Sequence, residues 1–378
     1  MTDSMANMRV QIIAKPDCGM TGTSRYVREL HSGLQAVGVS GGVATMAPSL
    51  PGMIANPLRH LGIDLRAFIS SYPLRVKLAP ADIYHVSTQT MATLLHFQRF
   101  PAPVIVTVLD IIPYLVRHDK ELNTFRHPID AGFYHLAMRA LGKADALIAI
   151  SHYTKHTLVE ELGIPEERIH VVHLGVNHNR FRPLDVPKTF RERYQLQEDD
   201  QHVLYVGSED PRKNIRTLLQ AFALLREQVG NVRLLMVGRV HAAAERDRLL
   251  ALVDELGITG SVDFIEDADD DDLLHFYNAA NVVVLPSFYE GFGFPAIEAM
   301  ACGTPAVVSN RSSLLELVDD PTARIDPGDA AALCHAIRTR LNGDARDALL
   351  KNAARFTWDR TVQETLQVYE HVRECSRG

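Results

Sequence analysis

Pro286-Ser287-Phe288-Tyr289-Glu290-Gly291-Phe292-Gly293-Phe294-Pro295-Ala296-Ile297-Glu298 joins a β-branched run to a helical one. Val282-Val283-Val284-Leu285 ahead of it reads as a buried strand, and Gly291 and Gly293 mark a tight turn. Pro295 falls where the first helical turn begins, a position at which its missing N–H costs nothing. Backbone N–H groups at such a junction, with the positive helix end behind them, suit phosphate or hydroxyl oxygens. Glu290 lies in the loop and Glu298 one turn inside the helix, so the two carboxylates can meet different parts of one long ligand. The plainer reading is that Glu298 only sits well near a helix start and that the glycines serve only the turn.

The same grammar repeats along the chain. Val10–Ala14, Val104–Val108 and Ala146–Ile150 are apolar runs in the first half; Val203–Val206 and Arg233–Val237 join Val282–Leu285 in the second. Helical stripes alternate with them: Tyr26, Val27, Leu30, Leu34 and Val37 up to Gly38, and Ile215, Leu218, Leu219, Phe222 and Leu225. Near-continuous apolar runs of this kind suit parallel sheets covered by helices on both faces. Two βα series meeting near Phe181-Arg182-Pro183 predict two doubly wound, Rossmann-like α/β domains facing across a cleft, over 1–182 and 183–355. A last stripe, Trp358, Val362, Leu366, Tyr369 and Val372, predicts a terminal helix within 356–378 that returns to the first domain.

The chain has 378 residues, 46% hydrophobic and 22% charged, enough for two packed cores and too apolar for global disorder. Its net charge of −7 argues against a general nucleic-acid binder. The charge is uneven: residues 1–185 hold 18 basic against 15 acidic side chains and 12 of the 17 histidines. Cys18, Cys302, Cys334 and Cys375 are isolated, which disfavours a disulfide framework or a cysteine zinc site. No apolar run is long enough to span a bilayer, so the expectation is a cytoplasmic protein. Within Pro57–Leu78, apolar residues interspersed with Arg59, Arg66, Arg75 and Lys77 fit either peripheral contact with anionic lipid or a helix packed on the first domain. Asp269–Asp272 resembles a metal motif but precedes a helical stripe, and reads as a helix start.

A second loop carries chemistry. Gly207-Ser208-Glu209-Asp210-Pro211-Arg212-Lys213-Asn214 follows a strand and opens a helix, so that amides and two cations can converge on a diphosphate. An Arg-Lys pair at a helix start is unfavourable against the helix dipole unless an anion is present.

Glu290-x7-Glu298, followed by Ala-Met-Ala-Cys-Gly-Thr-Pro305, resembles the signature of the family 4 retaining glycosyltransferases, whose fold is called GT-B. Asp145–Thr154, Val171–Asn177 and Phe356–Arg360 resemble further elements of that family in order. The resemblance implies transfer of a sugar from a nucleoside-diphosphate sugar, of GDP-mannose or UDP-sugar type, to a hydroxyl of a glycan or lipid-linked acceptor, in surface polysaccharide synthesis. It implies Arg212 and Lys213 on the diphosphate, Glu298 on the ribose hydroxyls, and Glu290 with the amides of Gly291, Phe292 and Gly293 on the sugar. Gly207 and Gly22 would bring backbone close to the donor, and Asp110 would face it from the first domain. No metal or other cofactor is implied. Two positions depart from the pattern: Thr21 stands where the family has the first of two glycines, and Leu109 where many relatives have a histidine. The rival readings are a nucleotide-sugar 2-epimerase of the same fold and a non-catalytic nucleotide-sugar-binding subunit.

Overall fold

Each run read as a strand is one in the computed structural model, which describes residues 8–16, 21–45, 65–125, 127–240, 242–341, 343 and 345–376. Cys18, the Asp17–Met20 part of the N-terminal loop and residues 57–64 of the amphipathic segment lie outside them. The chain divides into two units, Met1–Gly175 with Trp358–Gly378, and Val176–Thr357.

In the first unit, β1 (Arg9–Ala14), β2 (Ser40–Thr45), β3 (Ile83–Val86), β4 (Val104–Val108), β5 (Ala146–Ala149) and β6 (Ile169–Val171) form one sheet in the order β2-β1-β3-β4-β5-β6. Every pairing is parallel, as between β4 and β5, where Ile105 sits opposite Ala146. Val86, Val106, Val108 and Leu147 form the core with Ala137, Met138 and Leu158 from the covering helices. Long, two-sided burial is what allows these strands to carry so few polar side chains.

In the second unit, β7 (Gln201–Val206), β8 (Val232–Val237), β9 (Val262–Ile265), β10 (Val282–Leu285), β11 (Ala306–Ser309) and β12 (Arg324–Ile325) form a second parallel sheet. Its order, β12-β11-β10-β7-β8-β9, reverses direction between β7 and β10. In open parallel sheets ligands bind beyond the carboxyl ends of the strands at such a reversal. The loops leaving β7 and β10 are Gly207–Asn214 and Pro286–Gly293, the two stretches already singled out.

The terminal helix, Trp358–Cys375, buries Trp358, Val362, Leu366, Tyr369 and Val372, the expected stripe. It packs on the Gly22–Ala36 helix of the first unit. Gly33 permits this approach, since a Cβ there would collide with the Val362 side chain. The first crossing between units falls at Gly175–Val176, ahead of the expected Arg182–Pro183. The reason is that Val176 donates its N–H to the Phe356 carbonyl, 3.2 Å away, and His178 Nε2 lies 3.1 Å from that same oxygen. The linker is thereby stitched into the second unit from its start.

One buried polar cluster ties the first unit together. His85 on β3 places Nε2 2.7 Å from Thr107 Oγ1 and Nδ1 2.5 Å from Tyr369 Oη. Tyr26 Oη lies 2.8 Å from Thr107 Oγ1. Burial pushes the His85 imidazole down to about 3, so it is neutral at ordinary pH.

Candidate functional site

The loop after β7 is shaped by its own side chains. The Asp210 carboxylate accepts the Arg212 N–H at 3.1 Å, closing the Pro211–Lys213 turn. Asn214 follows in the left-handed region, φ 58, a conformation Asn tolerates better than most residues. Its Nδ2 donates to the carbonyls of Pro286, at 3.0 Å, and Pro327, at 2.6 Å. Phe288 donates its N–H to the Arg212 carbonyl at 2.8 Å. The two loops are thus one construction, held by hydrogen bonds between them.

Glu290 sits at its centre, with only 6% of its surface exposed. One carboxylate oxygen accepts from Lys213 Nζ at 2.5 Å and from Ser287 Oγ at 2.9 Å. The other lies 3.9 Å from Arg212 Nη1. Burial pushes the Glu290 carboxyl up, but Lys213, Arg212 and the bonds from Lys213 and Ser287 outweigh it, and it lies below the usual carboxylate range. Arg212 also donates to the Tyr289 carbonyl at 3.1 Å and pairs with Asp210 at 3.4 Å. The Arg212 and Lys213 side chains keep 23% and 15% of their surface, so both remain reachable by a ligand.

The turn that follows is braced from a third loop. Ser312, in the left-handed region at φ 55, accepts the Glu290 N–H at 3.0 Å on its Oγ. Ser313 Oγ donates to the carbonyls of Glu290 and Phe292, both at 2.9 Å. Gly293 has φ 112, and a Cβ there would stand 2.6 Å from Leu314 Cδ2 and 2.9 Å from Leu317 Cδ1. Only glycine meets both demands. The Phe292 ring is buried against Phe294 and Phe356.

Glu298, 2% exposed, lies in the Phe294–Ala301 helix and accepts a hydrogen bond from Tyr277 Oη at 2.7 Å. Gly207 is half-buried at the end of β7; its carbonyl packs so close to Gly238, after β8, that a Cβ on Gly238 would collide with it. The second unit therefore brings together Arg212, Lys213, Glu290 and their supporting backbone. Tyr277, Ser312, Ser313 and Arg246 belong to this region and carried no motif. Arg246 reaches back from the Ala243–Glu255 helix to buried Glu209 at 2.5 Å and to Glu266 at 2.6 Å.

In the first unit, Thr21 takes a structural part: its Oγ1 accepts the Ser24 N–H at 3.2 Å and caps the Gly22–Ala36 helix, of which Gly22 is the first residue. Asp110 accepts the Ile112 N–H at 3.0 Å, capping the turn after β4, and Leu109 donates its N–H to Gln89 Oε1 at 3.2 Å. Asp269 and Asp272 form a reciprocal cap on the Asp270–Ala279 helix, and Asp272 also pairs with Arg193 at 3.2 Å. Those carboxylates are engaged as a helix start. Phe68, from the described part of the amphipathic segment, packs on Tyr72 and Phe133 within the first unit. No described helix is long and apolar enough to cross a membrane.

Two cations, a desolvated carboxylate and several turn amides so arranged can hold a polyanion and position a neighbouring hydroxyl-bearing group. Comparison with known proteins points the same way. Residues 20–180 match the model of Glycosyltransferase Family 4, and residues 187–356 that of Glycosyl transferases group 1. The chain is 32% identical over 242 residues to the O-antigen chain mannosyltransferase B of Escherichia coli, covering 61% of this chain and 62% of that one. It is 35% identical over 257 residues to the D-inositol 3-phosphate glycosyltransferase of Streptomyces bingchenggensis, covering 63% and 54%. The aligned segments thus span less than two thirds of these relatives. Sucrose-phosphate synthase from Thermosynechococcus elongatus superposes with a TM-score of 0.74 at 25% identity, over 97% of this chain and 100% of that one. HepE of Anabaena, solved with UDP and glucose, superposes with a TM-score of 0.68 at 19% identity, over 96% and 100%, a likeness of fold. That fold is GT-B.

Proposed function

The chain belongs to glycosyltransferase family 4, and we propose that it moves a hexosyl group from a nucleoside-diphosphate sugar to a hydroxyl of a glycan or lipid-linked acceptor, with retention of configuration. The observation that carries this reading is the convergence of Arg212 and Lys213 on Glu290 at the reversal between β7 and β10. The mannosyltransferase names of several relatives favour a GDP-mannose type of donor, and the UDP and UDP-glucose complexes of HepE favour a UDP-sugar. The O-antigen relative favours a surface-polysaccharide acceptor.

On this reading Arg212 and Lys213 bind the diphosphate and stabilise the charge that builds on it as it leaves. Such preorganised cations lower the barrier because they act more strongly on the transition state than on the ground state. Glu298 would hold the ribose hydroxyls, Glu290 and the Gly291–Gly293 amides the sugar. The acceptor oxygen attacks the anomeric carbon on the face the diphosphate leaves, the carbon–phosphate oxygen bond breaks, and the acceptor proton passes to the departing phosphate oxygen. No protein nucleophile is required. We assign no metal, because Arg212 and Lys213 supply the positive charge.

The test is incubation with candidate donors, with and without a mannan-type acceptor and in excess EDTA, followed by assignment of the product anomer. Transfer with retention in EDTA is expected. Inversion, or a requirement for divalent metal, would refute the mechanism; an epimerised donor formed without acceptor would replace transferase by epimerase. Binding of donor with neither hydrolysis nor transfer would indicate a sensor.

A further inference from the structure

The Gly22–Ala36 helix has two unlike sides. Tyr26, Leu30 and Leu34 are buried beneath it. Ser24, Arg28, His31 and Ser32, spaced to share another face, line a pocket of about 380 Å³ together with Lys15 at the end of β1 and Thr45 at the end of β2. None of the described residues lining this pocket is acidic. His31 Nε2 is buried and has no hydrogen-bond partner among the described residues. An orphaned buried ring nitrogen costs free energy unless something in the pocket pairs with it. The pocket also lies at the carboxyl ends of β1 and β2. None of its residues belongs to the Arg212–Lys213–Glu290 site, which lies in the other unit.

We propose that this pocket binds a phosphate or pyrophosphate group, and that the group belongs to the acceptor; the second part rests on the glycosyl-transfer reading above. Arg28 and Lys15 supply charge, Arg28 with a fork that matches phosphate oxygens in pairs. Ser24, Ser32 and Thr45 supply hydroxyls, and His31 Nε2 donates to an oxygen of the ligand. The acceptor class is then a glycosyl phosphate or diphosphate rather than a neutral glycan.

The test is calorimetric titration of the full chain with inorganic pyrophosphate. Two sites are expected, one weakened by Arg212→Ala and the other weakened at least tenfold by Arg28→Ala and by His31→Ala, with Arg28→Lys intermediate. Pyrophosphate binding unmoved by both Arg28→Ala and His31→Ala overturns the proposal. Sedimentation with phosphatidylglycerol vesicles separates a headgroup on a lipid surface from a phosphate held in the pocket: Arg28-dependent binding of vesicles without Arg28-dependent binding of pyrophosphate also overturns it. His31→Ala guards against a misfolded Arg28 variant, and both are checked by thermal unfolding. Since neither readout needs turnover, loss of the glycosyl-transfer reading would leave the site standing without its acceptor, and loss of the site would leave the transferase standing.

Discussion

Lys213 Nζ and Glu290 Oε1 meet at 2.5 Å across the loops that leave β7 and β10. These are the two residues assigned to opposite parts of the donor, and each is nearly buried. A diphosphate that engages Lys213 and Arg212 competes with Glu290 for the same cations, so donor binding and the protonation and position of Glu290 are coupled.

Removing one partner of this pair leaves the other charged and buried. Lys213→Met is expected to cost about 3 kcal/mol or more of stability, whereas Glu290→Gln, which keeps a hydrogen-bond acceptor, is expected to cost less. Urea unfolding at neutral pH compares them. Equal stability of Lys213→Met and the unaltered chain would show that the pair does not persist in solution.

Arg212 and Glu298 should separate kinetically. Arg212→Ala is expected to lower kcat roughly 10²–10³-fold with a smaller loss of donor affinity, because its charge acts most strongly on the leaving group. Glu298→Ala should raise KM for the donor and alter kcat less. Steady-state kinetics with donor and acceptor varied in turn decides; equal loss of donor affinity with turnover intact would cancel the assignment.

His85 makes the first unit sensitive to acid. The imidazole titrates near 6.5 in the unfolded chain and at about 3 when folded. Its contribution is therefore fully present above pH 6.5 and declines as pH falls from 6.5 towards 3, because the unfolded chain takes up a proton that the folded one refuses. The slope is roughly 1.4 kcal/mol per pH unit in that window. Urea midpoints, followed through amide exchange on β3 and β4, should fall between pH 7 and pH 5, and more shallowly in His85→Gln.

Gly293→Ala is expected to destabilise the second unit by about 2 kcal/mol, since it combines φ 112 with contact against Leu314 and Leu317. Because Glu290 and Gly293 share the turn, transfer should fall as well. An unchanged melting temperature would mean the turn relaxes freely.

How much could be read from the sequence followed from where polar groups find partners. Val203–Val206 and Val282–Leu285 were legible because burial on both faces leaves no room for polar side chains. Ile83–Val86 was not, since Tyr84 and His85 look like loop residues until Thr107 and Tyr369, the latter 284 positions away, satisfy the imidazole. Ser40–Thr45, an edge strand with Gly41 and Gly42, lacks the apolar run altogether. In the site, Arg212, Lys213 and Glu290 were visible through their loops. Tyr277, which anchors Glu298, was hidden because a tyrosine in a helical stripe reads as core and nothing local marks its hydroxyl. At Thr21 and Asp110 local capping accounts for the residue types: each side-chain oxygen accepts a backbone N–H in the turn it begins.

The second unit starts and stops at neighbouring points. Val176 and Thr357 form a parallel bridge, and Val176 bonds to the residue before Thr357. Both ends of the chain belong to the first unit. In genetic terms the stretch between is therefore a cassette, an uninterrupted reading frame that enters and leaves its host at one spot. Recombination at its two junctions, which meet in the folded chain, could exchange the second unit whole while keeping the host unit and its last helix in register.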